Sequence, residues 1–128
     1  MKLMSRFGLG AALTLLSGLA LAAPEIGKPA PDFSTTTTTG ETLSMSALAD
    51  KTVVLEWTNA DCPYVQKHYG SGNMQSLQKA AAADNVVWIS VISSAPGKQG
   101  HVDAETANAL SEQRDAAPAH IVLDPSGE

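Results

Sequence analysis

The run Lys51-Thr52-Val53-Val54-Leu55-Glu56-Trp57-Thr58-Asn59-Ala60-Asp61-Cys62-Pro63-Tyr64-Val65-Gln66-Lys67-His68 decides how the chain is read. Val53, Val54 and Leu55 are apolar without alternation, the pattern of a strand buried on both faces. Residues 58–61 then read as a loop. Pro63 suits the first position of a helix, with Asp61 or Cys62 as its cap. The run therefore predicts strand, loop and helix. It puts Cys62 just past the carboxyl end of the strand and at the start of the helix. In open α/β sheets, ligands and reactions are found at that end.

Working outward, residues 64–69 predict one helical piece, which Gly70, Ser71 and Gly72 interrupt. Asn73 is placed to cap a second piece with Met74, Leu77 and Ala81 on one face. Residues 86–92 (Val-Val-Trp-Ile-Ser-Val-Ile) predict another buried strand, and residues 93–100 a polar loop. Asp103 is a cap for a helix running to Arg114, with Ala107 and Leu110 inward. Residues 120–123 predict a third strand and residues 124–127 a turn. Upstream, residues 23–32 are Pro-rich and extended. Residues 33–39 suit a strand, Gly40 and Glu41 a turn, and residues 42–45 a strand pairing back. The five threonines from Thr35 read as an edge strand, and residues 46–49 as one helical turn. Strands alternating with helices imply an α/β fold with a mainly parallel central sheet covered by helices.

Residues 1–22 have a different character. Lys2 and Arg6 precede an apolar run from Phe7 to Leu21, which ends in Ala20-Leu21-Ala22. A basic segment, an apolar segment and a small-x-small site form a secretory signal, with cleavage expected after Ala22 and a periplasmic or secreted destination. An uncleaved membrane anchor is the alternative, which the shortness of the run disfavours. With no cysteine near residue 22, a lipoprotein anchor is excluded.

Of the 128 residues, 106 follow Ala22, enough for one domain and not for two. They hold 6 basic and 13 acidic residues, a net −7. That balance argues against nucleic acid or an anionic membrane as partner. A single cysteine excludes an internal disulfide and any multi-cysteine zinc cage. No stretch after residue 22 is apolar over ~20 residues, so no membrane span is expected there.

A helix N-terminus presents free N–H groups and partial positive charge, which stabilise a thiolate. The thiolate is the nucleophilic form. Cys62 is thus a candidate nucleophile, the bland reading being an inert packed thiol. Lys67 and His68 add positive charge nearby, and Asp61 opposes it.

Three motifs in order carry a resemblance: Ile26-Gly27-Lys28-Pro29-Ala30-Pro31-Asp32-Phe33, then the strand from Lys51 to Trp57, then Asp61-Cys62-Pro63. Together they resemble the alkyl hydroperoxide reductase / thiol-specific antioxidant group of the thioredoxin superfamily, and within it exported bacterial redoxin domains. The resemblance covers residues 25 to 128. It implies a thioredoxin-like fold, with a central mixed sheet flanked by helices, over residues 23–128. It implies an antioxidant thiol-dependent oxidoreductase with Cys62 as nucleophile, Pro63 beside the thiolate, and no cofactor or metal. A hydroperoxide or a disulfide would be the substrate and an external thiol the reductant.

The sequence also departs from these relatives. Thioredoxins have Cys-x-x-Cys, and here Val65 stands at the second cysteine, so no neighbour resolves a mixed disulfide. Peroxiredoxins place a Thr three residues before the peroxidatic cysteine. Asn59 holds that position here, with Thr58 one earlier, and either side chain is able to hydrogen-bond a peroxide oxygen. Arg114, the one arginine after Arg6, does not match the activating arginine of that group. A one-cysteine cycle is what these residues leave. The different-class alternative is a non-catalytic thioredoxin-like binding module. A copper-handling role is less favoured, since such proteins use two cysteines and Cys62 with His68 offers one.

Other residues are weighed against ordinary structural roles. His68 reads as a helix-surface residue, Lys98 and His101 as a solvated loop that could border the site, and His120 as structural. Trp57 and Trp88 are expected in the core, with Trp57, five residues from Cys62, also weighed as bordering the site. Glu56, a carboxylate in an apolar strand, needs a partner or a proton. Finally, the resemblance implies that the fold continues beyond residues 124–127 with a cis-proline loop, two antiparallel strands and a last helix. The chain is therefore expected to be an incomplete domain.

Overall fold

A computed structural model describes residues 25–127. The expected signal sequence and its cleavage site lie outside the described residues. Residues 25–30 belong to a separate unit of the chain, in which the Lys28 N–H donates to the Glu25 carbonyl at 3.1 Å.

From Pro31 onward the elements are β1 (Ser34–Thr36), β2 (Thr42–Ser44), a 3-10 turn (Ser46–Leu48), β3 (Val53–Trp57), α1 (Pro63–Gly70), α2 (Asn73–Ala83), β4 (Val87–Ile92), α3 (Ala104–Gln113) and β5 (His120–Leu123). Strands β3, β4 and β5 form a parallel sheet in that order. Strands β1 and β2 form an antiparallel hairpin. An antiparallel bridge between Thr37 and Val122 joins the hairpin to the β5 edge, and the Thr38 N–H donates to the Ile121 carbonyl at 2.9 Å. The sheet is thus mixed, and the expected strand over residues 33–39 is shorter: Thr35 and Thr36 lie in β1, Thr37 forms the bridge, and Thr38 and Thr39 begin the turn.

Side chains alternate along a strand, and directly paired residues share a face. Leu55, Ile89 and Trp57, Val91 are such pairs, as are Val91 and Val122. On this face Leu43, Ile89, Val91 and Val122 make the core, with Leu48, Val53 and Val87 packed against it. The hairpin and the 3-10 turn supply the cover. Glu56 and its partner Ser90 point to the other face. There Tyr69 of α1 and Gln78 of α2 reach Glu56, and Arg114, at the end of α3, stacks on Tyr69. All three helices therefore lie on one face, as successive right-handed crossovers in one direction require.

Four local expectations are corrected. First, β3 is not buried on both faces: Leu55 is 39% and Trp57 63% exposed. Leu43 and Leu48 pack with Val53, Val87, Ile89, Val91 and Val122, and Leu55 and Trp57 are not among the residues packed into that core. Second, Trp57 is accordingly not a core residue. Third, α2 is capped by Gly72, at φ +75°, and Asn73 is its first helical residue. Fourth, α2 buries Gln78 completely and leaves Leu77 48% exposed. The polar Glu56 beneath the helix requires a donor there. The cap of α3 is as expected, with the Asp103 carboxylate accepting from the Thr106 N–H at 2.8 Å.

Candidate functional site

Cys62 is the N-cap of α1, with extended backbone (φ −71°, ψ 125°), and Pro63 occupies the first turn. The Gln66 N–H donates to the Cys62 carbonyl at 2.9 Å, which closes the first helical turn behind the thiol. The side chain makes no capping hydrogen bond and is partly accessible. The amides of residues 64 and 65 precede the helical hydrogen-bond ladder, so the helix offers donors and positive potential at its start.

Thr58 and Asn59, both singled out from sequence, have different situations. The Thr58 N–H continues the strand ladder to the Val91 carbonyl at 2.9 Å. Its side chain is 8% exposed, and its hydroxyl has no partner among the described residues. Thr58 lies on the same sheet face as Glu56 and α1. Asn59 is engaged through both side-chain polar atoms and its carbonyl. Its Oδ1 accepts from the Asp61 N–H at 2.8 Å, and its carbonyl from the Cys62 N–H at 3.0 Å. Its Nδ2 donates to the Gln99 carbonyl at 3.3 Å. The Asp61 carboxylate accepts from the Gly100 N–H at 3.2 Å. The loop of residues 93–101 therefore borders the cysteine turn, and its His101 Nδ1 contacts the Ser94 carbonyl at 2.9 Å.

Under α1 lies a polar cluster centred on Glu56. Its Oε2 accepts from Trp88 Nε1 at 2.8 Å and Ser90 Oγ at 3.0 Å, with Gln78 Nε2 at 3.4 Å. Tyr69 Oη donates to Oε1 at 3.1 Å and itself accepts from Gln78 Nε2 at 3.0 Å. Gln78 Oε1 accepts from the Ala117 N–H at 2.8 Å. The carboxylate expected to need a partner has four. Burial, and then the Glu56 charge, push the Tyr69 hydroxyl up to about 12. Arg114 is spent on this cluster: its guanidinium stands 4.1 Å from the Tyr69 ring centre.

At the carboxyl edge, Trp57 Nε1 donates to Ser93 Oγ at 3.0 Å, and Ser93 Oγ donates to Asp124 Oδ2 at 3.3 Å. Sequence reasoning singled out neither Ser93 nor Gly100. Both act through long-range contacts that no local pattern encodes. His68 lies on the exposed surface of α1 beside Asn73, at 3.4 Å. Among the described residues no group of three or more His, Cys, Asp or Glu is arranged to hold a metal ion. No helix of the described residues is long and apolar enough to cross a membrane.

The sequence matches the model of the AhpC/TSA family over residues 26–128. No curated protein sequence matches it. Among solved structures, it is similar to a candidate protein disulfide isomerase from Bacteroides thetaiotaomicron, at 25% identity and TM-score 0.57, covering 79% of this chain and 58% of that one. A secreted Mycobacterium tuberculosis disulfide oxidoreductase homologous to E. coli DsbE matches at 20% identity and TM-score 0.55, with 74% and 62% covered. The exposed lipoprotein thioredoxin of Streptococcus pneumoniae matches at 23% and 0.55, with 76% and 68% covered. The chain thus spans about three fifths of the first two. These likenesses establish a thioredoxin-like α/β fold.

Proposed function

The chain belongs to the AhpC/TSA family, and from that premise we propose a thiol-dependent oxidoreductase in which Cys62 is the nucleophile. The observation that carries this reading is the place of the only cysteine: N-cap of α1, beyond the carboxyl end of β3, ahead of Pro63 and partly accessible. Of the two reactions open to such a thiol, we favour peroxide reduction. Val65 stands where a second cysteine would serve dithiol exchange. The Thr58 hydroxyl, buried four residues before Cys62 and without a partner among the described residues, is the side chain we assign to a peroxide oxygen. Asn59 is too committed to share that task.

The Cys62 thiolate attacks one oxygen of the hydroperoxide, and the O–O bond breaks. The products are a sulfenic acid and an alkoxide, or hydroxide, which takes a proton from water. An external thiol displaces water from the sulfenic acid to give a mixed disulfide. A second external thiol then releases Cys62 as thiolate and leaves as part of the small disulfide. Pro63 fixes the helix start beside the sulfur. Residues 1–22 would direct the domain of residues 23–128 out of the cytoplasm.

The test is hydroperoxide consumption by the full chain with an excess of a monothiol reductant. The chain should turn over, and a sulfenic-acid trap should label it once. Cys62→Ser should do neither. Thr58→Val should lower turnover while leaving the unfolding temperature nearly unchanged. Absence of both consumption and trapping in the unaltered chain would favour a binding module.

A further inference from the structure

Gly100 lies on a loop remote in sequence from Cys62, yet it touches the turn that carries the cysteine. Its backbone is left-handed, at φ +82°, and a Cβ there would overlap Cγ, Oδ1 and Nδ2 of Asn59. The neighbouring Gln99 carbonyl accepts from Asn59 Nδ2, and the Gly100 N–H donates to the Asp61 carboxylate. Asn59 in turn holds the Asp61 and Cys62 N–H groups, through Oδ1 and its carbonyl. We infer that Gly100 and Asn59 are positioning residues for Cys62: the bare backbone at Gly100 seats the Asn59 amide, which shapes the turn that presents the thiol. The inference rests on Cys62 being the reacting group.

Two effects follow from the geometry. A side chain at position 100 displaces the Asn59 amide, so the 59–62 turn loosens and the sulfur shifts relative to the start of α1. The same displacement unseats the Asp61 carboxylate from the Gly100 N–H and frees a negative charge one residue from the sulfur. The first effect slows attack on any electrophile. The second slows attack on an anionic one further.

Gly97 supplies an internal control. It lies in the same loop at φ +76°, with open space where its Cβ would be. Gly97→Ala therefore carries the same backbone penalty without touching Asn59. Alkylation of the full chain reads only Cys62, the one cysteine. Gly100→Ala should slow alkylation by neutral iodoacetamide about fivefold, because the sulfur moves away from the partial positive charge at the start of α1. It should slow alkylation by anionic iodoacetate more. Gly97→Ala should stay within about twofold for both, the ordinary range of a loop glycine change. Asn59→Ala should slow iodoacetamide as Gly100→Ala does. Adding Gly100→Ala to Asn59→Ala should cost little more, because the atoms that clash are gone.

Equal effects of Gly97→Ala and Gly100→Ala would overturn the inference. So would an Asn59→Ala chain that alkylates at the unaltered rate, an undiminished Gly100→Ala effect in the Asn59→Ala background, or a Cys62 inert to both reagents. Hydroperoxide consumption is measured in parallel. Its absence, with the alkylation pattern intact, removes the proposed peroxidase reading and leaves the positioning role standing.

Discussion

The Tyr69 hydroxyl donates to the Glu56 carboxylate at 3.1 Å, so the last turn of α1 is fastened to β3 one residue before its carboxyl end. That bond belongs to the cluster in which Glu56 also meets Trp88, Ser90 and Gln78. Removing the acceptor strands several donors at once. Glu56→Ala should therefore destabilise the chain by about 3 kcal/mol, the scale for breaking a partly buried, charged hydrogen-bonded group. Glu56→Gln keeps the shape but turns an NH2 group toward donors, and should cost about half as much. Chemical unfolding midpoints of the two variants check the order.

Tyr69 also sets an alkaline limit. Its hydroxyl loses its proton near 10 in the unfolded chain and at about 12 in the fold, chiefly because it is buried. Below the unfolded value both states hold the proton, and the contribution to stability is fully present. Between the two values the unfolded chain ionises first, so stability falls as pH rises. Tyr69→Phe should start less stable but decline less steeply from pH 10 to 12. Urea midpoints at stepped pH test the difference in slope.

Asp103 works in the opposite direction. Hydrogen bonds from the Thr106 side chain and backbone N–H hold its carboxyl below the ordinary value of 3.8. The stability it contributes is complete above that value and is lost as pH falls through the lower folded value. Asp103→Asn, a neutral cap, should remove this part of the acid sensitivity while keeping α3 in place. Circular dichroism during an acid titration distinguishes the two chains.

Gln78 and Leu77 invert the usual hydrophobic rule. Gln78 is fully buried and satisfies the Ala117 N–H and the Tyr69 hydroxyl. Gln78→Met keeps the volume but strands the Ala117 N–H and removes one donor from the Tyr69 hydroxyl, which keeps its bond to Glu56, and should cost about 2 kcal/mol. Leu77 is 48% exposed, so Leu77→Ala should cost no more than about 0.5 kcal/mol. Thermal unfolding of the pair is the measurement.

These residues also show what was legible in the sequence. The order of strands and helices was, because hydrophobic runs, Pro63 and the Asp103 cap are local signals. So was the position of Cys62 at a helix start, and the need of Glu56 for partners. Which partners was not. Tyr69, Gln78, Trp88 and Ser90 come from three elements and meet only once the sheet is paired. The inward choice of Gln78 over Leu77 follows from that meeting, and a periodicity that weighs apolar residues points the wrong way. The exposure of Trp57 was hidden for a similar reason, since an apolar strand does not say how far its cover extends. The contact of the loop with Asn59 spans 40 residues, and a glycine gives no sign of what it leaves room for.

The chain from Trp57 through Ser93 to Asp124 hooks together the ends of β3, β4 and β5, beside the turn that carries Cys62. Its indole is largely open to solvent, whereas Trp88, the other tryptophan, is bonded to Glu56. The molecule thus holds two fluorophores in contrasting surroundings. In a Trp88→Phe chain the remaining emission would report, without any added label, on events at the edge of the sheet nearest the thiol.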